Sequence, residues 1–209
     1  MQKSNLFLVS APSGTGKSTL INSVLDKAVQ SNFPLELSIS YTTRAPRVGE
    51  TDSNHYFFVS KEEFIAKKEA NFFLECAEVH GNWYGTSVDF VKSKLDEGIS
   101  LILEIDVQGF RLIHDLAFNY ESIFILPPSI QALEDRIKQR GDNDLSVINL
   151  RLENAKKELM CASEYKNLVI NNLFDEASEV LYQIITKETP VNEQNRQELQ
   201  LFLAQLLSS

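Results

Sequence analysis

The sequence predicts an α/β protein: a core of parallel strands flanked by helices, with an inserted mixed α/β subdomain and a helical lid. Three observations carry this. Short, almost unbroken apolar runs at residues 6–9, 99–105, 123–126 and 168–170 have the texture of strands buried on both faces. Stretches of helical periodicity stand between them. From about residue 33 to 97 the rhythm changes to alternating strands joined by Pro- and Gly-containing loops. The expected divisions are 1–32, 98–128 and 166–190 for the core, 33–97 for the insert, 129–165 for the lid and 191–209 for a tail helix.

The first strand, Leu6-Phe7-Leu8-Val9, runs into Ala11-Pro12-Ser13-Gly14-Thr15-Gly16-Lys17-Ser18-Thr19, and a helix leaves it through Leu20, Ile21, Val24 and Leu25. Strand, glycine loop and helix in that order form a phosphate-binding P-loop. Its backbone N–H groups curl inward and the helix start adds positive potential. Lys17 is placed for the β- and γ-phosphates of a nucleoside triphosphate, and the Ser18 hydroxyl for Mg²⁺. Ala11 stands where the pattern usually opens with Gly, which a methyl group tolerates at ordinary φ.

Composition bounds the rest. At 209 residues the chain suits one α/β domain with insertions, and 43% hydrophobic with 23% charged residues is ordinary for a globular protein. No apolar run approaches the roughly 20 residues of a membrane helix. The first strand is too short for a signal peptide. Cys76 and Cys161 have neither disulfide nor metal-ligand spacing, so a cytoplasmic location is expected. A net charge of −9 argues against broad nucleic-acid or membrane surfaces. Phosphate binding needs only a few cations, and the arginines cluster accordingly.

After Phe33-Pro34, the alternation of Leu37, Ile39 and Tyr41 reads as one strand. A loop follows with Arg44 and Arg47 on either side of a proline, then a strand at Tyr56–Val59. Ser60 and Glu63 form a capping box for a helix beginning around Phe64. Phe72–Val79 is a strand, Gly81-Asn82 a turn, and Ser87 caps a helix that stops at Gly98. The buried run to Ile105 ends in Glu104-Ile105-Asp106, which puts Asp106 where it can hold Mg²⁺ through water. Past Pro127-Pro128, two helices joined by a Gly/Asp loop at 141–144 carry Arg136, Arg140 and Arg151 and read as a mobile lid. The last strand ends at Asn171-Asn172, and a helix follows until Thr189-Pro190. The tail helix shows enough leucine to pack on the domain or on another subunit, which would make a homo-oligomer.

Taken together, the stretches 10–19, 40–50, 73–75, 81–86, 105–109 and 123–129 resemble guanylate kinase, and the resemblance covers nearly the whole chain. It implies transfer of the γ-phosphoryl group of ATP to GMP, with Mg²⁺, and leaves dGMP open as a further acceptor. It implies that Arg44, Arg47, Tyr56 and Tyr84 bind the GMP phosphate and that Ser40, Glu75 and Thr86 face the base. It places Glu104 and Asp106 beside the acceptor and Asn171 at the adenine of ATP. The chemistry agrees: guanine offers two adjacent donors that one carboxylate accepts, whereas adenine opposes it with an acceptor. Three positions depart from the family pattern: Glu104 where Asp is usual, Ser53 where Gly is common, and Asn172 where Asp is usual.

The expected mechanism is positioning and charge neutralisation. Lys17 and Mg²⁺ draw charge onto the β–γ bridge, Arg44 and Arg47 fix the acceptor phosphate, and the lid brings Arg136, Arg140 and Arg151 to the migrating group. Two alternatives are a peptide-binding module of the same fold, which would carry a degraded P-loop, and a kinase of phosphorylated sugars, which would lack Glu75 with Thr86.

Overall fold

The computed structural model describes residues 4–79, 81–114, 119–139, 145–186 and 193–208. Arg140, the loop 141–144 and Thr189-Pro190 lie outside the described residues. By packing, the chain divides into two units: Leu35–Tyr120 with the residues up to Leu6, and Phe7–Pro34 with the chain from Glu121 onward.

The second unit holds β1 (Leu6–Ser10), α1 (Lys17–Gln30), β8 (Tyr120–Leu126), α5 (Ile130–Gln139), α6 (Leu145–Met160), β9 (Asn167–Ile170), α7 (Phe174–Thr186) and α8 (Glu193–Ser208). Its strands run in the order β1-β8-β9, and β8 pairs in parallel with β9 from Ile123 opposite Asn167 to Leu126 opposite Ile170. Every residue of β1 is buried, as its apolar run requires. Helices α1 and α7 pack together, tied by Ser23 to Ser178 at 2.8 Å, Lys27 to Glu179 at 2.7 Å and the Tyr182 hydroxyl to Ser31 at 2.7 Å. Helix α5 turns Leu133 and Ile137 inward, and α6 turns Ile148, Ala155 and Leu159, the stripe its periodicity marks. Helix α8 packs on α6 and β9 through Leu203 and Leu206, leaving Leu201 and Leu207 exposed.

The first unit holds β2 (Leu35–Leu37), β3 (Tyr41–Thr42), β4 (Phe57–Phe58), α2 (Lys61–Glu69), β5 (Phe73–Val79), β6 (Asn82–Ser87), α3 (Val88–Asp96), β7 (Ser100–Glu104) and α4 (Val107–His114). Strand β2 pairs in parallel with β7. The other four form a sheet in the order β4-β3-β6-β5, in which β6 runs antiparallel to both β3 and β5. Aromatic rings hold it: Phe64 stacks on Phe73 at 4.4 Å and Tyr41 on Phe57 at 4.7 Å.

Three local expectations change. The alternation at 37–41 belongs to two strands, because the chain leaves β2 after Leu37 and joins another sheet at Tyr41. Helix α2 starts at Lys61, directly after Ser60, whose side chain accepts from the Glu63 N–H while the Glu63 carboxylate accepts from the Ser60 N–H. Helix α4 was not foreseen; it begins where Asp106 Oδ1 accepts the Gly109 N–H at 2.8 Å.

Candidate active site

On the donor side, the loop after β1 turns back through a Thr15 N–H to Pro12 carbonyl bond of 3.2 Å. Gly14 and Gly16 both lie at φ +91°, a conformation that side chains oppose. Gly16 is the N-cap of α1, and it brings no side-chain cap and no acidic residue to the first turn. A helix start of this kind suits an anion. Lys17 is half-buried, Ser18 and Thr19 are exposed, and Ala11 is absent from the positive-φ residues, so its methyl group is accommodated.

Helix α5 floors this loop. A side chain at Gly14 would meet Ile137 at 3.1 Å and Leu133 at 3.4 Å. Arg136 donates to the carbonyls of Thr15 and Asn171, both at 3.2 Å, and the Asn171 amide donates to the same Thr15 carbonyl at 2.7 Å. Of the other two arginines expected on a lid, Arg151 is half-buried on α6 and Arg140 is outside the described residues.

On the acceptor side, Arg44 follows β3. Its guanidinium pairs with Glu50 Oε1 at 2.9 Å, donates to the Ala45 carbonyl at 2.8 Å, and lies 5.4 Å from the Tyr56 ring centre. The other Glu50 oxygen accepts the Arg47 N–H at 2.7 Å, so one carboxylate fixes the arginine loop at two points. Held first by Arg44 and then by that N–H, the Glu50 carboxyl falls to about 2. The Arg47 side chain is exposed. Tyr56 and Tyr84 meet edge to face at 6.0 Å, and burial, then the Glu104 charge, raise the Tyr56 hydroxyl.

Glu75 on β5 is 8% exposed. Its Oε1 accepts from the Thr86 hydroxyl on β6 at 2.7 Å, and Ser40 lies 3.4 Å from that hydroxyl. Burial, joined by the Asp106 charge, pushes the Glu75 carboxyl up to about 7 against the Thr86 bonds. Gly109 admits the carboxylate: a side chain there would stand 3.2 Å from Glu75 Oε2.

A family model described as guanylate kinase matches residues 3–188. The chain belongs to the guanylate kinase family. The guanylate kinase of Hahella chejuensis is 46% identical over 190 residues, covering 90% of this chain and 88% of its own. That of Paraburkholderia xenovorans is 44% identical over 202 residues, covering 95% and 87%. The crystal structure of guanylate kinase from Anaplasma phagocytophilum matches with a TM-score of 0.72 at 30% identity, over 90% of this chain and 87% of that one.

Two of the family departures have a structural reading. Ser53 sits at φ +63°, a left-handed conformation that explains why glycine is common there. It is held by its N–H to the Tyr56 carbonyl and its hydroxyl to Asp52, both at 2.9 Å. Glu104 ends β7 half-buried, with its charge felt at Tyr56. Glu50, which ties Arg44 to the Arg47 backbone, is a contact that the sequence does not single out; its signal is a carboxylate three and six residues from two arginines.

The donor set fits Mg²⁺. Among the described residues there is no cluster of three His, Cys, Asp or Glu able to hold a metal. Mg²⁺ that travels with a nucleotide keeps several waters and takes one or two protein oxygens besides phosphates, and the exposed Ser18 hydroxyl on the first turn of α1 suits that. No helix among the described residues is long and apolar enough to cross a membrane.

Proposed function

We propose the residue roles by which this chain performs the reaction of its family, transfer of the γ-phosphoryl group of ATP to GMP with formation of ADP and GDP. The observation that carries the acceptor assignment is the buried Glu75 carboxylate with its Thr86 bond of 2.7 Å. Ionised, it accepts guanine N1–H and the N2 amino group together, while Thr86 and Ser40 complete the edge. Adenine would leave these buried groups unpaired, a mismatch that rejects a base by roughly 10⁴–10⁵.

The GMP phosphate is held by Arg44 and Arg47 with the hydroxyls of Tyr56 and Tyr84, and Glu104 orients that group from the end of β7. Directed guanidinium bonds suit a dianion. On the donor side, residues 11–19 wrap the ATP phosphates, Lys17 faces the β- and γ-phosphates, and Asn171 stands near the adenine. Ser18 would hold Mg²⁺ directly and Asp106 would hold it through water; the ion would supply neutralisation of charge on the phosphates. Arg140 and Arg151 bring positive charge to the migrating group, and water excluded around it limits wasteful hydrolysis. The thiols of Cys76 and Cys161, neither of them in a disulfide, suit a cytoplasmic setting. The exposed Leu201 and Leu207 of α8 are where a second subunit would attach.

An ADP-release assay with GMP, AMP and ribose 5-phosphate as alternative acceptors tests the reading. Release that depends on GMP is expected. Equal rates with AMP or the sugar phosphate would remove the role of Glu75.

A further inference from the structure

The Thr15 carbonyl receives two side chains at once. Asn171 Nδ2 donates to it at 2.7 Å and an Arg136 guanidinium nitrogen at 3.2 Å, while the second guanidinium nitrogen donates to the Asn171 carbonyl at 3.2 Å. The three residues close a ring of hydrogen bonds that joins α5, the end of β9 and the loop. Thr15 is fully buried, so water does not replace these donors.

The Thr15 carbonyl shares a peptide plane with the Gly16 N–H. In a planar trans peptide the two point in opposite directions. Donors that hold the carbonyl on the α5 and β9 side therefore turn the Gly16 N–H to the other side. The same brace leaves no room at Gly16, where a side chain would come within 2.7 Å of Asn171 Nδ2, and φ there is +91°. Reversed, this plane would present a carbonyl dipole in place of the donor, and a partial negative charge toward an anion.

We propose that Arg136 and Asn171 are positioning residues that fix the Thr15–Gly16 peptide so that the Gly16 N–H is aimed at the donor phosphates. The proposal rests on the donor-side reading above and gives Arg136 a task apart from the migrating phosphoryl group. It predicts that both residues govern nucleotide affinity at the loop even when no acceptor is present and no transfer occurs.

The test uses the full chain, ¹⁵N-labelled, with MgADP as the probe. For Arg136→Met and Asn171→Leu, the MgADP Kd should rise about tenfold or more and KM for ATP should rise with it. The Gly16 amide resonance should move in the unliganded protein, and the Kd for GMP should stay within about twofold. The double variant should depart from the product of the two single effects, since both donors share one acceptor. Arg136→Lys keeps the charge but reaches one carbonyl; it should weaken MgADP about threefold and gives the reading if the Met variant does not fold. A fall in kcat with MgADP affinity and the Gly16 resonance unchanged would overturn the proposal and return Arg136 to the transferring group. Failure of the wild-type chain to release ADP with GMP would instead remove the kinase reading, leaving the MgADP titration to report on the brace.

Discussion

The Thr86 hydroxyl donates 2.7 Å to Glu75 Oε1, and the carboxylate it meets is almost wholly buried. Burial first, and the Asp106 charge after it, raise that carboxyl to about 7. In the role proposed for it Glu75 accepts from guanine only when ionised, so proton and GMP would compete for it. KM for GMP should rise about tenfold from pH 8 to pH 6, as the competent fraction falls. The phosphate of GMP also titrates near pH 6, so the slope is read against Glu75→Gln, which shares that phosphate. A pH profile with the same slope in both proteins would rule out the competition.

The same shift acts on stability. A carboxyl with a folded value above its unfolded one contributes stability that is full below the unfolded value of 4.5 and is lost as pH rises through about 7. The empty protein should therefore lose up to about 3 kcal/mol across that window, and Glu75→Gln should abolish the loss. Thermal melts at pH 5 and pH 8 measure it.

Glu50 works in the opposite sense. Its carboxyl is lowered to about 2, by the Arg44 pair first and the Arg47 N–H second, so its contribution is present above 4.5 and is lost as pH falls through about 2. At neutral pH it is in place and holds the Arg44 guanidinium, the group proposed to bind the GMP phosphate. Glu50→Gln should raise KM for GMP roughly tenfold while changing kcat less, a loss of pre-organisation rather than of chemistry. Steady-state kinetics at fixed ATP separates the two.

Ser53 at φ +63° carries strain that glycine would not. Left-handed backbone costs a side-chain-bearing residue about 1–2 kcal/mol, and the extra freedom of unfolded glycine offsets about 0.5–1 of it. Ser53→Gly should then raise Tm by about 1–3 °C, whereas Ser53→Ala should lower it or leave it unchanged. Differential scanning calorimetry of the two variants decides the matter.

The role proposed for Lys17 is to meet charge that grows during transfer. Lys17→Ala should lower kcat/KM by about 10²–10⁴, with the Kd for GMP unchanged. Initial rates together with a GMP titration check both halves.

Much of this was legible in the sequence because it is local. The Ser60–Glu63 capping box, the Ser87 cap and the Gly98 stop are each decided within a few residues, and the structure contains all three, with Gly98 at φ +83°. The glycine loop and its flanking apolar runs were equally readable. Alternation at 37–41 announced extended chain but not which sheet each end joins, since side-chain period carries no address. Helix α4 is not read from the sequence because its start depends on Asp106 folding back onto Gly109, and its eight residues are shorter than the window over which a helical period is read.

The order of residues by itself determined the α/β class, the glycine loop between β1 and α1 and the likeness to guanylate kinase, because strand texture, turn chemistry and short motifs are properties of local segments. Tertiary structure alone decided that Glu50 serves both Arg44 and the Arg47 backbone, that Glu75 is buried deeply enough to titrate near neutrality, and that Arg136 and Asn171 meet at Thr15. Burial and the sharing of one acceptor arise only when segments distant in the chain are packed together, and no spacing along the chain encodes them.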